Sequence, residues 1–544
     1  MKILWLNINS SYSHTSLAIP ALDAQLRESE RSKIEWKVIS GTINRDISSY
    51  IGEIFEFNPN LILSTAWLFN HNYLYSLLIR SKALLKDASI ILGGPEFLGN
   101  NYEYLLRNSF IDAVFRGEGE EVFPLFIEKF SNDHEWRTLP GFCHIDKKGN
   151  YCDNDIAEVS DFSAVEVPES SSFFEWERPF VQIETSRGCF NRCSFCISGT
   201  GRKIDNIPVS LLRKRLNKVR ERGVKEVRIL DRTFNSNSKR AISLLNLFAE
   251  YSPDIKFHLE IHPSLLNEEI KDSLLSLPPD LLHIEAGMQS LDNKVISECN
   301  RSGDADSSFE GLRFLVRDTP FEIHTDLISG LPFYTFDRLK RDVRELILLN
   351  PEEIQLESLK LLPGTKLRDE AFKYDICYSP LPPYEVLQTS HTSFEELKKA
   401  DTLSKILDIF FNGKILKESF VKLCSENENF LELLIEFYDN ANFDYNSGAE
   451  KRALLLWNFC LNYFKNSHDC IVKEWIRSGY SHHKGPGRLL KNWKFGDIII
   501  NPVFRSDSRD YYYKYFNLDK ERIWFIFSKT INSYKPISNF IEIL

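Results

Sequence analysis

The sequence predicts an α/β protein in three parts. These are a doubly wound, Rossmann-like sheet domain over residues 1–165, a (β/α)6 partial TIM barrel over 166–390 and a mainly α-helical domain over 391–544. Three observations carry this. Up to about residue 165, short apolar runs alternate with amphipathic stretches, the pattern of a parallel sheet with crossover helices. From about 179 to 370 the alternation resumes in six longer units, as a barrel requires. Beyond about 390, strand-like runs give way to helical periodicity.

In the first part the strands are "KILWLNI" (2–8), "IEWKVI" (34–39), "LILSTAW" (61–67), "SIILGG" (89–94) and "DAVFRGEGE" (112–120), with helices at 72–86 and 120–130. Doubly wound sheets bind ligands at the carboxyl ends of their strands. Those ends carry "NSSYSHTS", "STAW", "GGPE" and "GEGE". Gly93 and Gly94 would let a backbone approach a large flat ligand, or would only make tight turns. No G-x-G-x-x-G opens the first helix, which disfavours a dinucleotide. An acidic, serine-rich stretch around "VPESSSFFEWERP", roughly 150–178, reads as an exposed linker.

Barrel strands follow at 180–186, 226–231, 256–261, 281–290, 321–328 and 354–362, with helices at 209–223, 238–251, 267–276, 307–317 and 336–349. A barrel keeps its chemistry at the carboxyl ends of its strands. The third part reads as helices at 394–411, 428–440 and 450–464, then a small hairpin from "YYYKYF" and "RIWFIFS".

Composition narrows the function classes. The formal charge is −10 over 544 residues with both signs interspersed, so no surface-wide field collects nucleic acid. No apolar stretch approaches the roughly 20 residues of a membrane helix, and "MKILWLNINSSYSH" lacks a signal peptide's long apolar region. A cytosolic protein without a membrane partner is expected. Of ten cysteines, seven are scattered singly (Cys143, Cys152, Cys299, Cys377, Cys424, Cys460, Cys470) and read as small core hydrophobes.

The other three, Cys189, Cys193 and Cys196, stand in "SRGCFNRCSFC" (186–196), directly after the first barrel strand. Three unrelated buried thiols would be a coincidence at this spacing. A structural zinc site needs four closed ligands. The nearest further donors, His144 and Cys152, lie across the linker. A four-iron cluster on three thiolates leaves one iron open, as a reactive metal needs.

"CFNRCSFC" resembles the C-x3-C-x-aromatic-C signature of the radical SAM superfamily. "ETSRGC", "ILDRTFN" (229–235), "IEAGMQS" (284–290), "DLISGLP" (326–332) and "KLLPGT" (360–365) look like that family's strand ends, so the resemblance covers about 180–370. It implies a [4Fe-4S] cluster on Cys189, Cys193 and Cys196. The open iron would chelate S-adenosylmethionine and the cluster would cleave it reductively to a 5′-deoxyadenosyl radical. Phe195 would then lie against the adenine. Asp231 stands near the usual polar contacts to the methionine amino group, although the glycine-rich form of that motif is absent. Glu260, Gln289 and Asp326 are candidates for ribose and methionine contacts; each could instead simply close a barrel rim. An electron donor such as flavodoxin or ferredoxin is implied.

The first part resembles the cobalamin-binding domain that precedes the barrel in one branch of these enzymes. Ser64 and Thr65, and Gly93 and Gly94, match two of its usual signatures; Gly117 and Glu118 join them at the sheet edge. The third, D-x-H-x-x-G, is missing. His14 lies in the corresponding loop at another spacing, so the resemblance implies base-off cobalamin without a histidine ligand. The whole chain resembles bacterial cobalamin-type radical SAM proteins. Two uses of S-adenosylmethionine follow from it, one to methylate cobalamin and one to activate an unactivated carbon that takes the methyl group. A cobalamin-assisted rearrangement without methyl transfer is the alternative. A third reading, a nucleic-acid-modifying or -binding protein, rests on "GYSHHKGPGRLLKNWKF" (479–495). There Lys484, Arg488, Lys491 and Lys494 could meet phosphates and Trp493 could stack a base; a solvated loop and helix face explains the same run. The substrate, whether small molecule, peptide or RNA, is left open.

Overall fold

The computed structural model describes residues 1–11, 15–464, 468–478, 480, 484–489, 511–518 and 521–528. Three parts of the reading above fall outside these: His14, the residues Lys491, Trp493 and Lys494, and the side chain of Arg488.

The amino-terminal strands are β1 (Lys2–Asn9), β2 (Glu35–Thr42), β3 (Leu61–Thr65), β4 (Ser89–Gly93) and β5 (Ala113–Phe115), followed by β6 (Phe142–Ile145) and β7 (Tyr151–Asp153). They form one sheet in the order β2-β1-β3-β4-β5-β6-β7. The first five are parallel, with Leu4 opposite Lys37 and Ile62, and Ile62 opposite Ile90. Parallel strands covered on both faces must be apolar on both. Accordingly Leu4, Leu6, Ile62 and Ile90 pack on one side, and Ile3, Trp5, Leu61, Leu63 and Ile91 on the other. The order reverses direction between β1 and β3, which opens a crevice beyond their carboxyl ends.

Two expectations need correction. The sheet is not wholly parallel, because β6 and β7 extend it antiparallel beyond β5. Nor is 150–178 simply an exposed linker. It supplies β7, buries Phe162 and Phe174, and buries Glu169 in an ion pair with Arg215 at 2.7 Å. Its serines and acids read as solvent-seeking, but several of these groups find partners inside.

The second sheet has the order β15-β14-β13-β12-β11-β8, each strand beside its predecessor, as in an open barrel. The strands are β8 (Val181–Ile183), β11 (Glu226–Ile229), β12 (Lys256–Ile261), β13 (Leu282–Gln289), β14 (Glu322–Ser329) and β15 (Glu353–Ser358). Between β8 and β11 a two-residue ladder joins β9 (Ser186–Arg187) to β10 (Asp205–Asn206). Helices Val209–Glu221, Ser238–Ala249, Glu268–Leu275, Ala305–Asp318 and Phe336–Leu349 intervene. On β12, Phe257, Leu259 and Ile261 are buried while His258 and Glu260 on the other face are half-buried. The barrel interior is therefore polar rather than filled with aliphatic layers.

The chain divides into two compact units. The first comprises 1–323, 330–335 and 358–394; the second comprises 324–329, 336–357 and 395–544. Besides parts of β14 and β15, the second holds helices Phe394–Ile406, Lys417–Glu426, Phe430–Asn440, Ala449–Tyr463 and Asp469–Arg477. Its core includes Phe410, Phe420, Phe430 and Phe459. The expected hairpin forms from Tyr511–Leu518 and Glu521–Ser528. No helix among the described residues is long and apolar enough to cross a membrane.

Candidate functional site

The cysteine loop leaves the barrel at the carboxyl end of β8 and returns at β10, so the β9–β10 ladder closes its neck. Cys189 and Cys193 are buried and Cys196 is half-buried; all three are free thiols. Backbone bonds pin the loop: Ser194 N–H donates to the Cys299 carbonyl at 2.8 Å, and Leu367 N–H to the Ser194 carbonyl at 2.8 Å. Ser302 N–H donates to Asn191 Oδ1 at 3.1 Å. Burial pushes the Cys193 thiol pKa up, while the Arg301 guanidinium beside it pulls the other way. Arg301 also donates to the Gly287 carbonyl at 2.7 Å.

Among the described residues, no three His, Cys, Asp or Glu side chains converge as ligands of a single metal ion. A four-iron cluster fits better, because it spreads three thiolates over three irons. Cys299 is buried, as its reading as a core residue expects, and its thiol lies close enough to Cys193 for the two to interact. Burial raises its pKa to about 12.

Asp231 lies beneath this loop. Its carboxylate accepts from the backbone N–H groups of Thr185 and Ser186 at 2.7 and 2.9 Å, and from their hydroxyls at 2.5 and 2.7 Å. It is 3 % exposed. With all four lone-pair positions taken, Asp231 clamps the strand end that starts the cysteine loop. Burial raises its pKa against the pull of the four donors.

Phe195 is half-buried on the loop. Glu260 and Gln289 share the interior face of β12 and β13, where Glu260 is in register with Glu285. Gln289 adopts a left-handed φ of 67° at the strand end, strain that a structure retains where geometry matters for function. Asp326, in the second unit, lies 3.0 Å from His324 Nε2.

At the first sheet's carboxyl edge, buried Ser64 donates to the Leu6 carbonyl at 2.7 Å, and Thr65 is half-buried beside it. Asn70 staples the strand ends by donating to the Ile8 and Thr65 carbonyls at 2.9 and 3.1 Å. Trp67 and Phe69, not singled out from the sequence, stand exposed there with rings stacked at 6.4 Å. Gly94 has φ 110°, and a Cβ would lie 2.5 Å from the Ala66 carbonyl, so this glycine serves the turn. Gly93 differs, since a Cβ there meets nothing closer than 3.9 Å. It lines an apolar cavity of about 460 Å3, counted out to its mouth, with Trp5, Leu63, Ser64, Phe115 and Gly119.

Gly117, at φ 99°, bridges to Ala157, whose carbonyl lies 2.1 Å from any Cβ built there. Glu118 is already committed. It accepts from Val159 N–H at 2.7 Å and pairs with Arg202 at 2.7 Å. Its expected ligand contact therefore competes with these bonds.

Residues 183–346 match the model of the Radical SAM superfamily, and residues 372–506 match a family described only as a protein of unknown function, DUF4080. A protein of Pyrococcus horikoshii named "Uncharacterized methyltransferase" is 22% identical over 396 residues, 69% of this chain and 84% of that protein. Among solved structures, the cobalamin-dependent S-adenosylmethionine radical enzyme OxsB, with aqua-cobalamin and S-adenosylmethionine bound, superposes with a TM-score of 0.59 at 14% identity. That match covers 87% of this chain and 78% of that one. The radical S-adenosylmethionine methyltransferase TsrM of Kitasatospora setae, with tryptophan and a SAM analogue bound, gives 0.55 at 17% identity over 67% and 74%. At these identities the structures establish a shared fold. The chain carries a radical SAM domain and is a radical SAM enzyme.

Proposed function

We propose that the protein is a cobalamin-dependent radical SAM methyltransferase acting on an unactivated carbon. The observation that carries this is the pairing, in one compact unit, of a three-thiol loop at a barrel mouth with a flavodoxin-like sheet whose carboxyl edge opens onto an apolar cavity. Residues 1–165 would hold cobalamin and 166–390 form the barrel; 391–544 add the helical domain.

When bound, the cluster would supply the electron that cleaves S-adenosylmethionine, and cobalamin would carry the methyl group. The chain's own residues position and shield. Cys189, Cys193 and Cys196 hold the cluster, and Asp231 fixes the strand end from which they project. Phe195, Glu260, Gln289 and Asp326 would serve S-adenosylmethionine, and Arg301, which stands beside Cys193, would add a cation near the cluster. Trp67 and Phe69 offer a flat apolar face to the corrin. Base-off cobalamin would need an apolar place for its displaced aromatic base, and the cavity under Gly93 and Ser64 is apolar. Glycines 93, 94 and 117 keep that edge open or tightly turned. A low-potential donor such as flavodoxin or ferredoxin would reduce the cluster.

Anaerobic reconstitution with iron, sulfide and hydroxocobalamin tests the reading. About four irons and about one cobalt per chain are expected, with iron lost in Cys193→Ala. Iron without cobalt refutes the cobalamin assignment, and zinc in place of iron refutes the whole reading. Methyl-labelled S-adenosylmethionine then separates methyl transfer from rearrangement.

A further inference from the structure

The neck of the cysteine loop is held from outside the barrel. Arg187, two residues before Cys189, lies on β9; Arg202, six residues after Cys196, lies just before β10. Both reach the same turn of the first sheet. Arg187 Nη1 is 2.9 Å from Glu120 and 3.7 Å from Glu118, and Arg202 Nη1 is 2.7 Å from Glu118. Arg187 also pairs with Glu184 at 2.6 Å and stacks 4.3 Å over the Phe162 ring, and Arg202 lies 3.7 Å from Asp205. The four side chains are 8–19 % exposed, so these pairs are shielded from the solvent and salt that weaken surface pairs.

The carboxylates are held as firmly as the arginines. Gly117 admits no side chain against Ala157, Glu118 N–H donates to the Ala157 carbonyl at 2.8 Å, and Glu118 Oε2 accepts from Val159. Between the two glutamates stands Gly119, which lines the apolar cavity together with Phe115, the last residue of β5. A Cβ on Gly119 would meet the end of the Leu22 side chain, itself part of the cavity wall, at 2.8 Å. One four-residue turn thus forms a wall of the cavity with its backbone and holds both arginines of the loop neck with its side chains.

We propose that Glu118 and Glu120 are positioning residues that couple the two halves of the site, so that filling the sheet cavity and loading the cysteine loop each favour the other. The coupling rests on the cobalamin reading above. A ligand in the cavity fixes Gly119 and Phe115, which fixes the carboxylates and, through them, the loop neck. Linkage makes the effect reciprocal, with the same factor in both directions.

The test is hydroxocobalamin titration of the full chain, followed by absorbance, before and after anaerobic cluster reconstitution. Cluster loading should tighten hydroxocobalamin about fivefold or more, the lower range of such couplings. Bound hydroxocobalamin should in turn lower the iron lost at equilibrium with a chelator, by a similar factor in affinity. In Arg187→Gln/Arg202→Gln, which break the same ion pairs from the loop side, both effects should vanish, although the variant still takes up iron and still binds hydroxocobalamin. A merely structural role would lower stability without removing the mutual dependence. Equal affinity in the cluster-free and cluster-loaded wild type overturns the coupling alone, and this comparison needs no variant to fold. No hydroxocobalamin binding in either state overturns the cobalamin reading and the coupling with it.

Discussion

Replacing Asp231 separates a clamp from a ligand contact. In Asp231→Ala the hydroxyls of Thr185 and Ser186 can rotate to other acceptors, but their two backbone N–H groups cannot; Thr185 is fully buried and Ser186 8 % exposed. At roughly 1–3 kcal/mol for each buried donor left without a partner, the loss is about 2–6 kcal/mol. Asp231→Asn costs less. Its carbonyl can keep both backbone donors while its amide turns to the hydroxyl oxygens, leaving mainly lost charge assistance, about 1 kcal/mol. Urea unfolding should rank wild type above Asn above Ala. Iron retention after reconstitution should follow the same order, because Thr185 and Ser186 lead directly into Cys189. Asp231→Ala unfolding at the wild-type urea concentration with full iron, but with weakened S-adenosylmethionine binding in equilibrium dialysis, would refute the clamp.

Three further outcomes follow from the geometry. Gly93→Leu should stay within about 1 kcal/mol of wild-type stability yet abolish hydroxocobalamin loading, since its side chain enters the cavity; undiminished loading would exclude the cavity as a cofactor site. Gly94→Ala should instead lower stability by about 1–3 kcal/mol in thermal or urea unfolding, because its strain lies in the turn itself. His262 is buried, its Nε2 has no partner, and desolvation lowers its pKa to about 3. Between about pH 6.5 and 3 the unfolded chain binds the extra proton, so stability is full above pH 6.5 and falls as pH drops. At about 1.4 kcal/mol per pH unit, moving from pH 7 to 5 should cost the wild type roughly 2 kcal/mol more than His262→Asn. Equal pH dependence of their urea midpoints would remove His262 as the cause.

The strands of both sheets were legible because buried parallel strands must be continuous apolar runs, as at "LILS" and "SIIL". The antiparallel extension was not, because β6 and β7 have only four and three residues and β7 hides in a polar segment. Glu169 shows the same blind spot. An acidic residue reads as exposed until its partner is known, and Arg215 lies 46 positions further on.

The site divides along the same physical line. Cys189, Cys193, Cys196 and Phe195 could be singled out because metal chemistry is written in local spacing. The roles of residues that act through long-range partners were not legible. Asp231 is a candidate ligand contact by its place at a strand end, and its four bonds to Thr185 and Ser186 become visible only in the fold. Glu118 looked like part of a cofactor edge, and Arg202, 84 positions away, shows where its charge goes. Cys299 is core, as its spacing suggested, but that its carbonyl holds Ser194 could not be read from the sequence. Each of these residues acts on the cysteine loop from a distance in sequence. A motif identifies the atoms that hold a cluster, whereas the groups that fix where those atoms stand appear only once the fold has closed the distance.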